Sequence, residues 1–405
     1  DQRNRFHRLR WKSLLHVKIL KTPSYGRGVH PVTMMSDEGI KGFIAHNRRK
    51  TLFIAALIAM TILASFLALG FNTEVAMGDL LRIVFDRDNP SNDYIDETLV
   101  WGLGIPRILS ALLAGIALGV AGAVMQCVLR NPLGSPYTLG ISNAAAFGAS
   151  IGIVVLGGGL IAGQSTASVV IDNPIIVTVS AFAWAMIATG IIIVLVKITK
   201  VSPETMVLAG VALSSIFSAG ISLLQYMYNE YALSTIVFWQ FGDMGKASME
   251  QLYLIAAVTL VACVYFLYHR LDYNALDVGD DVASSLGINV NGLRIASLIL
   301  ASMLTAIVVS FMGIIAFIGL LGPHIVRRFL GNDHRHVLVG SMIMGALILV
   351  VSDCIGQNIA DFTIPVGIIT SFLGGPLFLY LLIRGYRRRN ASVASFLRRK
   401  TGGSE

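Results

Sequence analysis

Long, uncharged apolar segments dominate the chain and determine the elements that it predicts. A helix needs about 20 apolar residues to cross the hydrocarbon core of a bilayer, so segments of this length predict transmembrane helices. They lie at about 51–71, 108–129, 137–158, 174–196, 205–228, 251–268, 295–312, 337–359 and 366–383. A further apolar segment, 314–326, is shorter and contains Gly322 and Pro323, which predicts a half-length helix. The pattern therefore predicts ten membrane helices.

The distribution of basic residues predicts the orientation of these helices. With both termini in the cytoplasm, 27 of the 31 Lys and Arg residues fall on the cytoplasmic side, as the positive-inside rule requires. The remaining four are Arg82, Arg87, Arg107 and Lys246. Omitting the short helix would destroy this alternation. The predicted fold class is therefore an all-α membrane protein with ten transmembrane helices, N-in and C-in.

The two ends of the chain are predicted to be tails. Residues 1–50 carry 12 Lys and Arg residues against three acids, which predicts a basic cytoplasmic tail near anionic headgroups rather than a nucleic-acid-binding arm. Residues 51–386 form the predicted ten-helix domain, and residues 387–405 form a basic cytoplasmic C-terminal tail.

Two connecting segments are longer than a hairpin requires. The cytoplasmic loop at about 269–294 is polar and carries both charges, with helix-compatible runs on either side of Gly287. On the opposite side, the acidic segment 72–106 predicts a short surface helix around 76–85. Long structured loops often carry function, so these two predict different partners on the two sides of the membrane.

Composition supports the membrane assignment. Hydrophobic residues make up 55% of the chain and charged residues only 13%, whereas soluble domains carry roughly a quarter charged residues. The three cysteines, Cys127, Cys263 and Cys354, are far apart in apolar segments and lack metal-ligand spacing. We therefore expect buried small hydrophobes rather than a metal site.

No enzyme site emerges from the sequence. The segment 242–247 is reminiscent of a phosphate-binding loop, but Gln240 and Ala247 stand where that loop requires Gly and Ser or Thr. Asp353 is a carboxylate within a predicted span, beside Gln357. We expect it to form a helix-to-helix hydrogen bond; an ion-coupling role is the alternative and would make the chain a stand-alone secondary transporter or channel.

Short motifs in a fixed order resemble a known family. The most informative are Arg130-Asn131-Pro132-Leu133 and Leu139-Gly140-Ile141-Ser142. Further matches are Pro106-Arg107, Gly115, Gly122, Gln126, Leu208 to Leu213, Trp239, Gly242, Leu286-Gly287-Ile288, Phe317 to Leu320, Pro323-His324, Arg327, Pro365-Val366-Gly367 and Leu373 to Pro376. From about residue 50 to 385 the chain resembles the FecCD or BtuC type of permease, the membrane subunits of type II ABC importers for iron-siderophores, haem or vitamin B12.

The resemblance implies partners and a cargo. It implies a homodimer in the cytoplasmic (inner) membrane, two ABC ATPase subunits on the cytoplasmic side and an extracytoplasmic substrate-binding protein. The cargo would be an iron chelate (a siderophore complex or haem) or cobalamin. No cofactor is expected in this chain, because ATP and Mg²⁺ would bind to the partner ATPase. No nucleic-acid partner is expected.

The resemblance also implies roles for individual residues. Coupling to the ATPase would involve two short helices about Gly287, at roughly 277–291, with the residues Ser284, Ser285, Leu286, Gly287, Ile288 and Asn289. The inner gate would comprise Asn131, Pro132, Leu133, Ser135, Ser202, Glu204 and Thr205. The outer gate and pathway would comprise Tyr226, Met227, Tyr228, Asn229 and Trp239. Arg107 would contact acidic residues of the binding protein, although Gly104 replaces a second Arg that some relatives carry.

Overall fold

The computed structural model describes residues 37–86, 93–158, 173–199, 203–380 and 383, without the side chains of 37–46, 199, 203–205 and 207. The chain divides into a short unit, residues 1–48, and a large unit, residues 49–405. Within the described residues the regular elements are helices, and Phe241 and Ile314 form an isolated parallel bridge. Residues 1–36 of the predicted N-terminal tail (1–50) and the predicted C-terminal tail (387–405) lie outside the described residues, whereas residues 37–50 belong to the helix Asp37–Thr73.

Fifteen α-helices are described. The first seven are α1 (Asp37–Thr73), α2 (Met77–Phe85), α3 (Tyr94–Thr98), α4 (Ile105–Val128), α5 (Ile141–Val154), α6 (Pro174–Thr199) and α7 (Pro203–Met227). The others are α8 (Glu230–Gln240), α9 (Met249–Tyr268), α10 (Arg270–Val278), α11 (Asp280–Ser285), α12 (Val290–Met312), α13 (Ile318–Leu330), α14 (His334–Asn358) and α15 (Val366–Tyr380). A π-helical turn, Leu99–Gly104, joins α3 to α4, and a 3₁₀ turn, Met244–Lys246, precedes α9.

Seven of the described helices are long and apolar enough to cross a membrane. These candidate spans lie within α1, the continuous α3–α4 helix, α6, α7, α9, α12 and α14. The helices α5, α13 and α15 are shorter. The predicted segment 137–158 becomes a short helix because residues 137–140 form a turn that ends at Gly140, whose φ of 80° lies in the left-handed region.

The helix α4 lies at the centre of the large unit. It packs against α9, α12, α13 and α14, and most of its residues are buried. Glycines make this possible: a Cβ at Gly119 would overlap the carbonyl of Ser341 on α14, and one at Gly122 would overlap the carbonyl of Gly319 on α13. Small residues allow membrane helices to approach this closely. The buried core therefore forms around α4, and both ends of α4 carry candidate functional residues.

The short surface helix predicted around 76–85 is confirmed. It forms α2, which buries Leu80 and Ile83 and exposes Leu81 and Phe85. An apolar face and an exposed face on one short helix explain why its pattern could be identified from the sequence.

Candidate functional site

The predicted first half of the inner gate forms a compact turn between α4 and α5. Its predicted members are Asn131, Pro132, Leu133 and Ser135. The Asn131 side-chain oxygen accepts a hydrogen bond from the Leu133 N–H at 2.9 Å, and its backbone oxygen accepts one from Gly134 at 2.9 Å. The N–H of Ser135 donates to the Thr138 hydroxyl at 2.9 Å, and the N–H of Thr138 donates to the Ser135 hydroxyl at 3.1 Å. These local bonds satisfy the backbone where the helix stops.

The predicted second half of the inner gate is only partly described. Ser202 lies outside the described residues, and Glu204 and Thr205 belong to α7 without described side chains. Further along α7, a Cβ at Gly210 would overlap the carbonyl of Thr138. The helix α7 and the first gate loop are therefore in direct contact, although the gating role of these residues stays a prediction.

The end of α4 is a Schellman motif with an unusual residue. The Arg130 N–H donates to the Cys127 carbonyl at 3.0 Å, and the Asn131 N–H donates to the Gln126 carbonyl at 3.1 Å. In this motif the residue at the position of Arg130 adopts a left-handed conformation and is usually glycine. Arg130 has a φ of 50°, and a side chain in this region costs about 1–2 kcal/mol.

A single carboxylate joins the end of α4 to two other helices. Asp280, the first residue of α11, accepts a hydrogen bond from the Arg130 guanidinium at 2.8 Å. It also accepts two from Arg294 of α12, at 3.0 and 3.3 Å. The Nε of Arg294 donates to the Val128 carbonyl at 2.9 Å. Asp280 therefore links three helices at the end of the bundle where the predicted gate loop lies.

The predicted ATPase-docking segment, roughly 277–291, does not form two short helices about Gly287. The helices α10 and α11 meet at Gly279, and both precede Gly287. Gly287 has a φ of 80° and forms the turn between α11 and the long helix α12. The predicted second run belongs to α12 because Asn289 caps that helix, accepting a hydrogen bond from the Gly292 N–H at 3.0 Å.

Polar contacts also hold α10 against the start of α14. Asn274 donates to the Asp333 carboxylate at 2.9 Å and accepts from the His334 N–H at 2.7 Å. Asp277 pairs with the His334 ring at 2.8 Å. Burial raises the pKa of Asp277, but the hydrogen bond and charge of His334 outweigh it, so this pKa lies below its ordinary value. For Asp333, the effect of burial is outweighed by hydrogen bonds from Arg335 and Asn274, which lower its pKa.

Cys127, Asp277 and His334 bring three potential metal ligands within 4.8 Å of one another. The sequence did not predict this cluster, because the three residues lie on α4, α10 and α14. Two observations favour a hydrogen-bonded cluster over a metal centre. The Arg327 guanidinium acts electrostatically on Cys127 and Asp277, and the Nδ1 of His334 is buried without a hydrogen-bond partner. A metal-bound histidine normally donates that second N–H to a partner.

At the opposite end of α4, Arg107 forms an ion pair within the protein. Its guanidinium donates to both oxygens of Asp353 on α14, at 2.8 and 2.9 Å, and lies 3.1 Å from Asp243. Gln357 donates a further hydrogen bond to Asp353 at 2.9 Å. The helix-to-helix hydrogen bond expected of Asp353 is confirmed. Only 15% of the Arg107 side chain is exposed. The docking role of Arg107 stays a prediction.

An open cavity of about 890 Å³ lies beside this ion pair. Lys246 contributes to its lining, and its ammonium donates to the carbonyls of Phe238, Trp239 and Phe241, at 3.2, 3.2 and 2.7 Å. Burial lowers the pKa of Lys246 to about 8, although the Asp243 charge opposes this effect. This cation therefore depends on three backbone carbonyls.

The residues predicted for the outer gate fall into two groups. Tyr226 and Met227 end α7, and both are largely exposed, Tyr226 by 89%. Asn229 caps α8, accepting a hydrogen bond from the Ala232 N–H at 3.0 Å. Trp239 lies at the other end of α8 and is buried. The structure thus brings the first residues together but separates Trp239 from them, and their gating role stays a prediction.

Sequence reasoning did not single out Asp280, Arg294 or Asp243. Arg130 and Asp280 are 150 residues apart, so no local spacing relates them. One signal was available: Asp280 and Asp281 are consecutive acidic residues that follow Gly279 in the polar segment 269–294. Acidic residues at a helix start interact favourably with its backbone N–H groups, which obscures any additional role.

Comparisons with known proteins agree with this geometry. The model of the FecCD transport family matches residues 51–384. A protein of Methanocaldococcus jannaschii, inferred to be an ABC transporter permease, is 42% identical over 347 residues, covering 85% of this chain and 97% of that protein. The hemin transport system permease protein of Yersinia pestis is 32% identical over 338 residues, covering 82% of this chain and 96% of the relative.

A solved structure shares the fold. It is an inward-facing conformation of an ABC transporter inferred to be of the metal-chelate type. The TM-score is 0.67 at 25% sequence identity, and the match covers 82% of this chain and 99% of the other. Together with the family match over the whole helical region and with seven helices able to span a membrane, these likenesses show that the chain is a multi-span membrane protein and belongs to the FecCD transport family.

Proposed function

We propose that the chain is the permease subunit of an ABC importer for a metal chelate, either an iron chelate such as a siderophore complex or haem, or cobalamin. The hemin permease and the metal-chelate type transporter among its likenesses support this class of cargo. In this proposal the chain binds no nucleotide. ATP and Mg²⁺ bind to the partner ATPase.

The observation that carries the proposal is an exposed apolar stripe on the short helices α10 and α11. Val278, Val282 and Leu286 are exposed although they lie in a polar segment outside the long apolar helices. Val282 and Leu286 are four residues apart along α11, whereas Val278 ends α10 before the break at Gly279. Exposed apolar residues rimmed by polar ones mark protein interaction sites. We propose that this stripe, together with Ser284, Ser285 and Gly287, receives the ATPase.

The proposed topology has ten crossings with both termini in the cytoplasm. The seven long helices and the shorter α5, α13 and α15 correspond in order to the ten predicted segments. An even number of crossings returns the chain to the side where it began, and it places the basic residues inside.

Exposed positions test this topology: Ser284→Cys should resist an impermeant thiol reagent on intact cells, and Tyr94→Cys should react. Labelling of Ser284→Cys from outside would overturn the topology.

The proposed assembly pairs two copies around a central pathway. Tyr226, Met227 and Tyr228 present a large exposed apolar surface at the end of α7, which suits a loosely held bulky cargo. On the outer side a substrate-binding protein would dock near Arg107 and the cavity beside it. Because Gly104 stands in place of a second Arg, Arg107 would carry most of that contact.

ATP-dependent uptake tests the proposal. The chain is reconstituted in vesicles with its ATPase and binding protein, and uptake of the chelate is measured with and without ATP. Val282→Asp and Leu286→Asp should weaken association of the ATPase, whereas Asn291→Asp, an exposed change at the start of α12, should not. Uptake that persists without ATP would favour a secondary transporter or channel instead. The Arg107–Asp353 ion pair disfavours that alternative, since this buried carboxylate is already neutralised.

A further inference from the structure

Arg130 occupies a position at which the local backbone favours glycine. The same Schellman hydrogen-bond pattern ends α11, where Gly287 takes the left-handed position, and it precedes α5, where Gly140 takes it. At the end of α4, by contrast, Arg130 holds a φ of 50°. Local structure therefore does not explain an arginine here, and the reason must lie in its side chain.

The side chain of Arg130 reaches the proposed ATPase-docking segment. Its guanidinium donates to Asp280 at the start of α11 and, at 3.2 Å, to the Leu276 carbonyl of α10. Its backbone is continuous with Asn131 and the proposed inner-gate loop. Arg130 is thus a direct connection between the segment that would meet the ATPase and the loop that would open and close.

The two arginines on Asp280 differ in burial. Arg294 is almost fully buried, binds both oxygens of Asp280 and is fixed by the Val128 carbonyl. The Arg130–Asp280 pair is about 40% exposed, at 39% and 42% of the two side chains. Exposed ion pairs are weak and exchange readily with water, whereas a buried partner is costly to remove. Arg294 therefore suits a fixed anchor and Arg130 a contact that can break.

We propose that the Arg130–Asp280 ion pair is the link that transmits movement of α11 to the inner gate, with Arg294 as its fixed anchor. This inference rests on the proposed function. Arg130 acts through the gate loop, so it is a positioning residue rather than part of the pathway.

Arg130→Gly separates a structural role from a coupling role. Glycine removes the backbone strain at this position, so the thermal midpoint of the purified protein should stay the same or rise. Loss of the ion pair should lower uptake per ATP hydrolysed by about five- to ten-fold, within the usual range of coupling between sites. Arg130→Lys keeps a charge and should restore part of that ratio.

Neighbouring changes provide the controls. Asp281→Asn removes an adjacent exposed charge from the same helix start and should leave uptake per ATP unchanged. Asp280→Asn should lower this ratio, and the double variant Arg130→Gly/Asp280→Asn should be no worse than the more severe single variant. Such non-additivity is the signature of two residues that act through one contact.

The outcomes distinguish this inference from the proposed function. A parent complex that couples uptake to ATP, with an unchanged ratio in Arg130→Gly, would overturn the link alone. A lower thermal midpoint with an unchanged ratio would also overturn it and would make Arg130 purely structural. A parent complex without ATP-dependent uptake would overturn the proposed function, and the link with it.

Discussion

Arg107 and Asp353 are 246 residues apart in the sequence and form a two-pronged ion pair between α4 and α14. Only 2% of the Asp353 side chain is exposed. A charge in such a position requires a partner, because an isolated buried carboxylate is very unfavourable. The pair therefore explains how a carboxylate can lie within a membrane helix of this protein without serving ion transport.

Arg107→Met should be strongly destabilising. It leaves Asp353 buried without its cation, and breaking a buried pair in this way costs about 3–5 kcal/mol. The double variant Arg107→Met/Asp353→Leu should recover most of that loss, since it removes the buried carboxylate as well. Asp243 also loses its contact with Arg107, but 34% of its side chain is exposed. Thermal unfolding in detergent measures the stability of each variant. A double variant that loses as much stability as Arg107→Met and Asp353→Leu added together would contradict the pairing argument.

The same double variant tests the predicted docking role of Arg107. It removes the guanidinium while keeping the fold, which Arg107→Glu would not do. If the binding protein needs this cation, its affinity for the double variant should fall, by about 2–5 kcal/mol for a buried contact and much less for a peripheral one. Titrations at two salt concentrations decide between these cases. Equal affinity for parent and double variant at both salts would remove Arg107 from the docking surface.

Gly287 should be sensitive through its backbone rather than through crowding. Its φ is 80°, and a Cβ there would meet nothing within 4 Å. Gly287→Ala should lower the free energy of unfolding by about 1 kcal/mol, and Gly287→Asn by less, because Asn tolerates the left-handed region.

We expect Gly287→Glu to weaken coupling to the ATPase by misplacing α11. Stimulated ATPase activity and uptake measure this coupling. Gly78→Ala, at an uncrowded helical position in α2, is the control; unchanged coupling in Gly287→Glu would argue against this segment as the docking element.

Gly122 should be sensitive through packing. A Cβ there would overlap the Gly319 backbone of α13, which no side-chain movement can relieve. Overpacking of this kind costs about 1–3 kcal/mol or more. Gly122→Ala should therefore lower the thermal midpoint clearly, whereas Gly190→Ala, where nothing lies within 4 Å, should be neutral or stabilising. Similar midpoints for the two variants would contradict the close approach of α4 and α13.

Lys246 should titrate near pH 8. Its pKa of about 8 lies below the ordinary value of 10.5, so the amine becomes reactive toward acylating reagents at a lower pH than an ordinary lysine. The unfolded chain keeps this proton up to about pH 10.5. Between these values the unfolded state binds more protons, and the contribution of Lys246 to stability should rise with pH. Mass spectrometry of acylation against pH provides the measurement, and a midpoint near 10.5 would contradict the lowered pKa of Lys246.

The sequence by itself determined the class of the protein and most of its helices. Uncharged apolar segments of spanning length are strong local signals, because lipid imposes one length and one composition on each crossing. The surface helix α2 could be predicted from a different local signal, because its apolar residues repeat with the helical period. The left-handed turn at Gly287 was also predictable, because glycine alone adopts it without strain. The lengths of the helices on the two sides of Gly287 were harder to predict. Over a few residues, a short separate helix and the first turn of the long helix α12 have the same sequence pattern.

Only the tertiary structure decided which charges meet. Arg107 with Asp353, and Arg130 with Asp280, are pairs between helices that lie far apart in the sequence. The order of the helices leaves their packing open, and a charged residue has the same local pattern whether it faces a partner helix, a headgroup or another protein. The close contacts of Gly119 and Gly122 decide the matter physically. They bring α13 and α14 against α4, and the approach of α14 places Arg107 within hydrogen-bond distance of Asp353. Arg130 meets its carboxylate because α11 lies against the end of α4.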